Sequence, residues 1–234
     1  MDDRTTNVAA GDLNYDSYES EIYDDDIRRS IPGHDELHKK FEEVAREYIA
    51  SNKVERILEL GIGTGLTSEK ILKLIPTASL TAVDFSEKMM DGAKKRLSKY
   101  NVAYILGDYA EINLDDDFDM VISVIGIHHQ KDEGKKKLFR KIYGSLKSGG
   151  VFIFGDLVTY KAKTKAAIND AQHFHHLVEH ARNEPSLKEW AYHHKFLNLL
   201  APIEDQIDWL KEAGFSEISV AYEHLNTALI IAKK

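Results

Sequence analysis

The stretch ILELGIGTGLTS, Ile57 to Ser68, sets an apolar run directly against three glycines within five residues. An apolar run, then Gly61, Gly63 and Gly65, then TSEKILKLI, reads as a buried strand turning sharply into a helix. A chain that makes this turn is committed to a strand–helix crossover. The turn falls where an open α/β sheet receives a ligand, at the carboxyl ends of its strands. Residues without a Cβ let the backbone turn tightly and let ligand atoms lie against its amides.

The chain beyond repeats the same alternation. SLTAVDF, NVAYILGDY, FDMVISVIG and GGVFIFGDLV read as strands, EKMMDGAKKRLSKY and KKKLFRKIYGSLK as helices. Elements of these lengths in this order predict a mostly parallel sheet covered on both faces. Ahead of them, HDELHKKFEEVAREYIA places Leu37, Phe41, Val44, Ala45 and Tyr48 on one helical face, after a turn at Pro32-Gly33. A His-rich helical region interrupted at Pro185 follows Thr159. The chain then closes with a helix, IEDQIDWLKEAG, and two strands, FSEISVAYEHL and NTALIIAKK. The expected organisation is a flexible N-terminus over 1–18, a helical lid over 19–50 and a ligand-binding α/β domain over 51–234. That domain carries a helical insertion at about 160–200.

Composition narrows the function classes. The 234 residues include no cysteine, which removes disulfides, thiolate metal sites and cysteine nucleophiles together. The start, MDDRTTNVAAGDLNYDSYES, resembles neither a secretory signal nor an Arg-rich transit peptide, so a cytoplasmic location is expected. No window is apolar enough to span a membrane, and a net charge of -8 argues against a nucleic-acid partner. One basic run, Lys135, Lys136, Lys137, Arg140 and Lys141, is expected to be a solvated helix face. Monomer and homodimer are both left open.

Two ligands compete for the glycine turn. A dinucleotide calls for G-x-G-x-x-G with its pyrophosphate on the helix N-terminus. Here the third glycine arrives one residue early, and Glu59 stands two residues before the first. A carboxylate repels a pyrophosphate but favours a ligand carrying a sulfonium and an ammonium. Charge therefore favours S-adenosylmethionine. Asp84 ends the second strand, 23 residues beyond Gly61, and suits a ribose diol. Phe85 offers an apolar side chain to adenine. Asp108 and Tyr109, in GDY after the third strand, offer a carboxylate and a backbone amide to the same ring.

These residues resemble the class I S-adenosylmethionine-dependent methyltransferases over about residues 50 to 160. ELGIGTG looks like their glycine motif, Asp84 like their ribose acid, GDY like their adenine segment, FDMVISVIGIHHQ like their fourth-strand motif and LKSGGVFIFGD like their fifth-strand hairpin. The resemblance implies a Rossmann-like, doubly wound sheet of seven strands, the last antiparallel, binding S-adenosyl-L-methionine. Cofactor contacts are then expected at Glu59, Gly61, Gly63, Gly65, Asp84, Phe85, Met89, Asp108, Tyr109 and Val124. His128, His129 and Asp156, at the ends of the fourth and fifth strands, become candidate catalytic groups facing a small-molecule methyl acceptor. A general base is not required for every acceptor, because the sulfonium supplies driving force and positioning can suffice.

A narrower resemblance links IRRSIPGHDELH and LKEAGF to the carboxy-S-adenosylmethionine synthases, which act on adenosylmethionine and prephenate. His34 stands where that family has a tyrosine, and is placed with the cofactor residues. An arginine that holds the extra carboxylate in that family has no counterpart in AYHHKFLNLL. Its register falls on Ala191, and Arg182 is nearest. Methyl transfer is therefore preferred. A synthase using Arg28 or Arg29, or a non-catalytic adenosylmethionine-binding module, stays as an alternative. Arg28, Arg29 and Tyr23 are expected to reach the ligand from the lid. His173, His176 and His180 recur at helical spacing, with His175, His193 and His194 nearby. Without cysteine or an obvious carboxylate partner they are expected to line the acceptor pocket or an interface, and no metal is expected.

Overall fold

The protein is described here by a computed structural model covering Leu13, Tyr15, residues 20–114 and residues 117–234. The segment expected to be flexible, 1–18, lies outside the described residues apart from Leu13 and Tyr15.

Seven strands form one sheet: β1 (Arg56–Leu60), β2 (Ser79–Asp84), β3 (Asn101–Leu106), β4 (Phe118–Val124), β5 (Leu146–Leu157), β6 (Glu217–His224) and β7 (Thr227–Lys233). Their order is β3-β2-β1-β4-β5-β7-β6, with β7 antiparallel to both its neighbours. The chain runs outward from β1 to β3 and then returns to place β4 on the other side of β1. That reversal is the topological switch point, where a crevice opens beyond the strand ends. The seven-stranded, doubly wound fold expected from the sequence is what forms.

One face is covered by α3 (Leu66–Leu74), α4 (Glu87–Arg96) and α2 (His34–Ser51). Leu37, Phe41 and Ala45 of α2 are buried against Ile57, Ile122 and Ile153. Fully burying a Leu or Phe side chain stabilises by about 1.5–3 kcal/mol, so α2 is held as core. The helix α1 (Ser20–Ser30) lies instead over the strand ends. The other face is covered by α5 (Asp132–Ser145) and α8 (Ile203–Ala213), packed on Phe152, Phe154 and Phe215. Between β5 and α8 the insertion forms α6 (Lys163–His180) and α7 (Glu184–Tyr192). Pro185 sits in the first turn of α7, where its missing N–H costs nothing. The helix break falls just before it, capped by the Asn183–Ser186 box.

The basic run is only partly a solvated face. Lys135 is fully buried and donates to the carbonyls of Gln130 and, at 2.6 Å, Leu199. Lys141 donates to the carbonyls of Tyr109, at 2.9 Å, and Ile112. Lys135 ties the loop after β4 to the end of the insertion, and Lys141 satisfies carbonyls of the turn after β3. Charge periodicity alone could not distinguish these two from their exposed neighbours.

Candidate functional site

All three loop glycines take the left-handed conformation, with φ of +73° at Gly61, +53° at Gly63 and +81° at Gly65. They differ in what surrounds them. A Cβ at Gly63 would meet nothing within 4 Å, whereas one at Gly65 would meet Ala93 Cα at 3.3 Å and Leu97 Cδ1 at 3.2 Å. Gly63 thus borders open space, and Gly65 lets α3 approach α4. Asp84 organises the loop from the end of β2. Its Oδ2 accepts from the Gly63 N–H at 2.7 Å and its Oδ1 from the Ser86 N–H at 2.9 Å.

Glu59 lies under the loop with 1% of its surface exposed, accepting from the Ser68 hydroxyl. Burial pushes its carboxyl up to about 8, with the Asp84 charge adding to the rise and the Ser68 bond opposing it. At neutral pH the free protein therefore holds Glu59 largely protonated. A cation placed beside it would favour ionisation.

An open cleft enclosing about 980 Å³ lies over these strand ends. Glu59, Gly61, Gly63, Asp84, Phe85 and Met89 line it, as do Asp108, Tyr109, Val124 and His34. Gly65 is the one expected cofactor residue not on its wall. Asp108 accepts from the Ala110 N–H at 2.8 Å, closing the turn after β3. Tyr109 is buried and donates its hydroxyl proton to the Gly126 carbonyl at 2.9 Å.

The three candidate catalytic residues form a second layer. His128 and His129 share a short 3₁₀ turn, Ile127–His129, after β4. The His128 N–H donates to Asp156 Oδ2 at 3.0 Å, and its Nδ1 stands 2.5 Å from Oδ1. A carboxylate there places the ring proton on Nδ1 and leaves Nε2 as a lone pair. His129 is fixed in the same tautomer. Its Nδ1 faces the Leu197 carbonyl at 3.1 Å, which can only accept, so Nε2 accepts from the Tyr15 hydroxyl at 3.1 Å. Burial, followed by the neighbouring His128 and His193, holds His129 well below the ordinary histidine range. His129 lines the large cleft. His128 lines a second cavity of about 600 Å³ behind it, and Asp156 lines neither.

Two residues at this wall, Tyr15 and Ile125, carry no readable sequence signal. Tyr15 packs against Phe85, Tyr23, His129 and His193, yet sits in an acidic stretch without periodicity. Tyr23 lines both cavities, in line with the expectation for the lid. Ile125, at φ +54°, stands between the cavities and borders both. Positive φ in a β-branched residue is strained backbone, which the bond from its N–H to the Gly155 carbonyl at 2.8 Å helps to hold.

The arginines offered for carboxylate recognition are engaged elsewhere. Arg28 pairs with Asp35 at 2.6 Å, Arg29 with Asp25 at 2.8 Å, and Arg182 with Asp25 and, at 2.8 Å, Asp26. Among the described residues, no lysine or arginine lines either cavity. The cationic tie is Arg96, which bonds Asp24 of α1 at 2.5 Å and the Thr64 hydroxyl at 2.8 Å, clamping the lid helix to the glycine loop.

The helical histidines tie the insertion to α1, and His173, with His193 and His194, also lines the second cavity. His173 Nε2 bonds the Ser30 carbonyl at 3.1 Å and His176 Nε2 the Arg29 carbonyl at 2.8 Å, satisfying the frayed end of α1. Asn226 completes His173 through its other nitrogen at 2.7 Å. His180 turns back to the His176 carbonyl.

Residues 57–150 match the family described as "Methyltransferase domain". Over these residues the chain is similar to methyltransferase domains. Curated relatives extend the likeness beyond that domain. A carboxy-S-adenosyl-L-methionine synthase of Shewanella piezotolerans is 25% identical over 95% of this chain and 93% of its own. One from Campylobacter fetus is 28% identical over 91% of each. A malonyl-[acyl-carrier protein] O-methyltransferase of Bacillus anthracis is 28% identical over 85% of this chain and 66% of its own. Among solved structures, a Nostoc punctiforme O-methyltransferase superposes with a TM-score of 0.61 at 17% identity, covering 85% of this chain and 56% of that one. Haemonchus contortus phosphoethanolamine N-methyltransferase 2, solved with S-adenosyl-L-methionine, gives 0.55 at 21%, covering 77% and 49%. Identities this low carry the fold alone. The glycine loop after β1, Asp84 at the end of β2 and His129 after β4 all line the cleft. Among the described residues, no helix is long and apolar enough to cross a membrane.

Proposed function

We propose that the protein binds S-adenosyl-L-methionine in the large cleft and transfers its methyl group to a small-molecule acceptor entering through the second cavity. The observation that carries this reading is Glu59. A buried acid beside an open glycine loop ionises at least cost next to a ligand bearing a sulfonium and an ammonium, whereas a pyrophosphate would keep it protonated. In this reading the methionine end lies along Gly61 and Gly63 near His34. The ribose hydroxyls donate to Asp84. Adenine lies between Phe85 and Met89, with Asp108 and Tyr109 at its edge.

The methyl group then faces His129, and His129 Nε2 is the lone pair best placed to take a proton from the acceptor. His128, fixed by Asp156, closes the wall behind it. Most of the acceleration comes from alignment in a pocket sheltered by α1. Residues 51–234 act as the catalytic domain and α1 as its cover. The chain has no cysteine, hence no disulfide, in keeping with a cytoplasmic enzyme.

The relatives named as carboxy-S-adenosyl-L-methionine synthases favour a second reading, and the cavity walls oppose it. A carboxylate on the cofactor's methyl carbon would find no lysine or arginine among the described lining residues. The experiment supplies methyl-labelled adenosylmethionine with a panel of hydroxyl, phenol, carboxylic acid and amine acceptors, prephenate included. Label in an acceptor with release of adenosylhomocysteine supports methyl transfer. A nucleoside product heavier by a carboxyl group establishes the synthase reading instead. Cofactor binding with no product from any acceptor leaves a binding module.

A further inference from the structure

Ring nitrogens of His128, His129 and His193 lie within 4.8 Å of one another at the partition between the two cavities. Three features of this cluster go beyond a chance gathering of histidines. The first is the outer shell. His128 gives Nδ1 to the Asp156 carboxylate at 2.5 Å, and His129 gives Nδ1 to the Leu197 carbonyl at 3.1 Å. A metal-binding imidazole characteristically donates its remote N–H to a carboxylate or a carbonyl, which fixes the tautomer and sharpens the other lone pair. Both histidines here are set that way, with Nδ1 taken up by the outer shell.

The second feature is the backbone that delivers His193. Residues His193–Leu197 form a single π-helical turn, closed by the Asn198 N–H on the His193 carbonyl at 3.1 Å. Such turns are uncommon and cluster at functional sites. This one grips His129 from both ends, placing the His193 ring 5.1 Å from it and the Leu197 carbonyl on its Nδ1. The third feature is the open side. The Tyr15 hydroxyl, 3.1 Å from His129 Nε2, puts an oxygen at the cluster, and the second cavity gives the remaining direction to a small molecule.

We propose that His128, His129 and His193 bind a divalent transition metal of the zinc class, with an open coordination position facing the acceptor cavity. Three imidazoles and one exchangeable oxygen are the donor set of a catalytic rather than a structural zinc site. Zinc–nitrogen bonds of about 2.0–2.1 Å place ligand nitrogens about 3.3 Å apart, so the rings would close up on binding. Among the described residues no lysine or arginine lines either cavity, so the metal would supply the positive charge that holds an acceptor oxygen. This deepens the methyl-transfer reading, on which the role of the metal rests: with Nε2 of His129 on the metal, the metal would take over from that lone pair by favouring loss of the acceptor's proton to solvent, and metal binding itself is independent of that reading.

The test uses full-length protein stripped with chelator and titrated with Co²⁺, and then with Zn²⁺ as competitor. Expected is one Co²⁺ per chain with the intense visible absorption of a four- or five-coordinate ion, displaced by Zn²⁺. His193→Ala weakens binding by about 100-fold or more, and Asp156→Asn, which touches no metal, by about 10–100-fold. His180→Ala, on an exposed helix face, leaves it unchanged. Circular dichroism confirms that each variant is folded, and His129→Gln replaces His193→Ala if the latter is not. Absence of stoichiometric Co²⁺ binding overturns the inference, as does binding unaffected by His193→Ala or abolished by His180→Ala. Calorimetry with adenosylmethionine on the stripped protein separates this outcome from failure of the cofactor reading.

Discussion

Asp156 holds His128 at two points, accepting the backbone N–H on Oδ2 at 3.0 Å and the ring Nδ1 on Oδ1 at 2.5 Å. It also accepts the Leu157 N–H at 2.8 Å, so one carboxylate sets the β5 end, the 3₁₀ turn and the tautomer of a buried imidazole together. Asp156→Asn keeps the shape but turns an N–H₂ toward groups that need an acceptor. Turnover is expected to fall by about 10²–10⁴, the range of an acid–base contribution. The adenosylmethionine Kd should stay within about threefold, since Asp156 does not line the cleft. Steady-state kinetics beside calorimetry checks this, and equal losses in both quantities would contradict it.

The glycines separate ligand space from packing space. Gly63→Ala pays only the left-handed penalty, about 1 kcal/mol, because its methyl meets open space. That methyl stands in the proposed ligand volume, so adenosylmethionine binding is expected to weaken at least tenfold, about 1.4 kcal/mol. Gly65→Ala forces a Cβ to 3.3 Å from Ala93 Cα and is expected to destabilise by about 2–4 kcal/mol. Urea unfolding and calorimetry on the pair should show opposite patterns.

Glu59 makes binding pH-dependent with a definite sign. The free carboxyl sits at about 8, and a cationic ligand favours its ionised form, so binding releases a proton below that pH. Affinity is expected to rise by up to tenfold per unit as pH climbs toward about 8 and to level off above it. Glu59→Gln should remove the slope. Stability of the free protein runs the other way. From the ordinary 4.5 up to about 8 the folded state holds a proton that the unfolded state has lost, so Glu59 costs more stability as pH rises. Glu59→Gln should therefore melt higher than wild type at pH 8.5.

His173 drives acid sensitivity. Burial, then the neighbouring His194, lowers it to about 3, and its two ring nitrogens are committed to Ser30 and Asn226. Its folded value lies below the unfolded 6.5, so its contribution is present above that pH and is lost as pH falls toward about 3. His173→Gln should flatten the stability–pH curve between pH 6 and 4 by about one proton, roughly 1.4 kcal/mol per pH unit. His38, also lowered to about 3, carries the remaining slope in part.

What the sequence made legible follows periodicity and local spacing. The strand–glycine–helix unit, Asp84 at the end of β2 and the GDY turn are set by residues adjacent along the chain, and they line the cleft as expected. Long-range ties were not legible. Lys135 reads as one of five surface cations because nothing local marks the carbonyls of Gln130 and Leu199 that bury it. Tyr15 reaches His129 across 114 positions from an unpatterned stretch, and His193 reaches it through a π-helical turn that no apolar period announces. The His173–His176–His180 series was legible only in part. Its helical spacing suggested a pocket wall, and His173 does line the second cavity, but one nitrogen each of His173 and His176 goes to the end of α1.

The central claim is that Gly61, Gly63, Glu59 and Asp84 form an adenosylmethionine site and not a dinucleotide site. The most direct measurement is calorimetric titration of wild type and Asp84→Ala with adenosylmethionine, adenosylhomocysteine and NADH at pH 8. Expected is saturable binding of both adenosyl compounds, weakened at least tenfold in the variant, and none for NADH. Binding of NADH in preference, or of none of the three by a folded wild type, would contradict it.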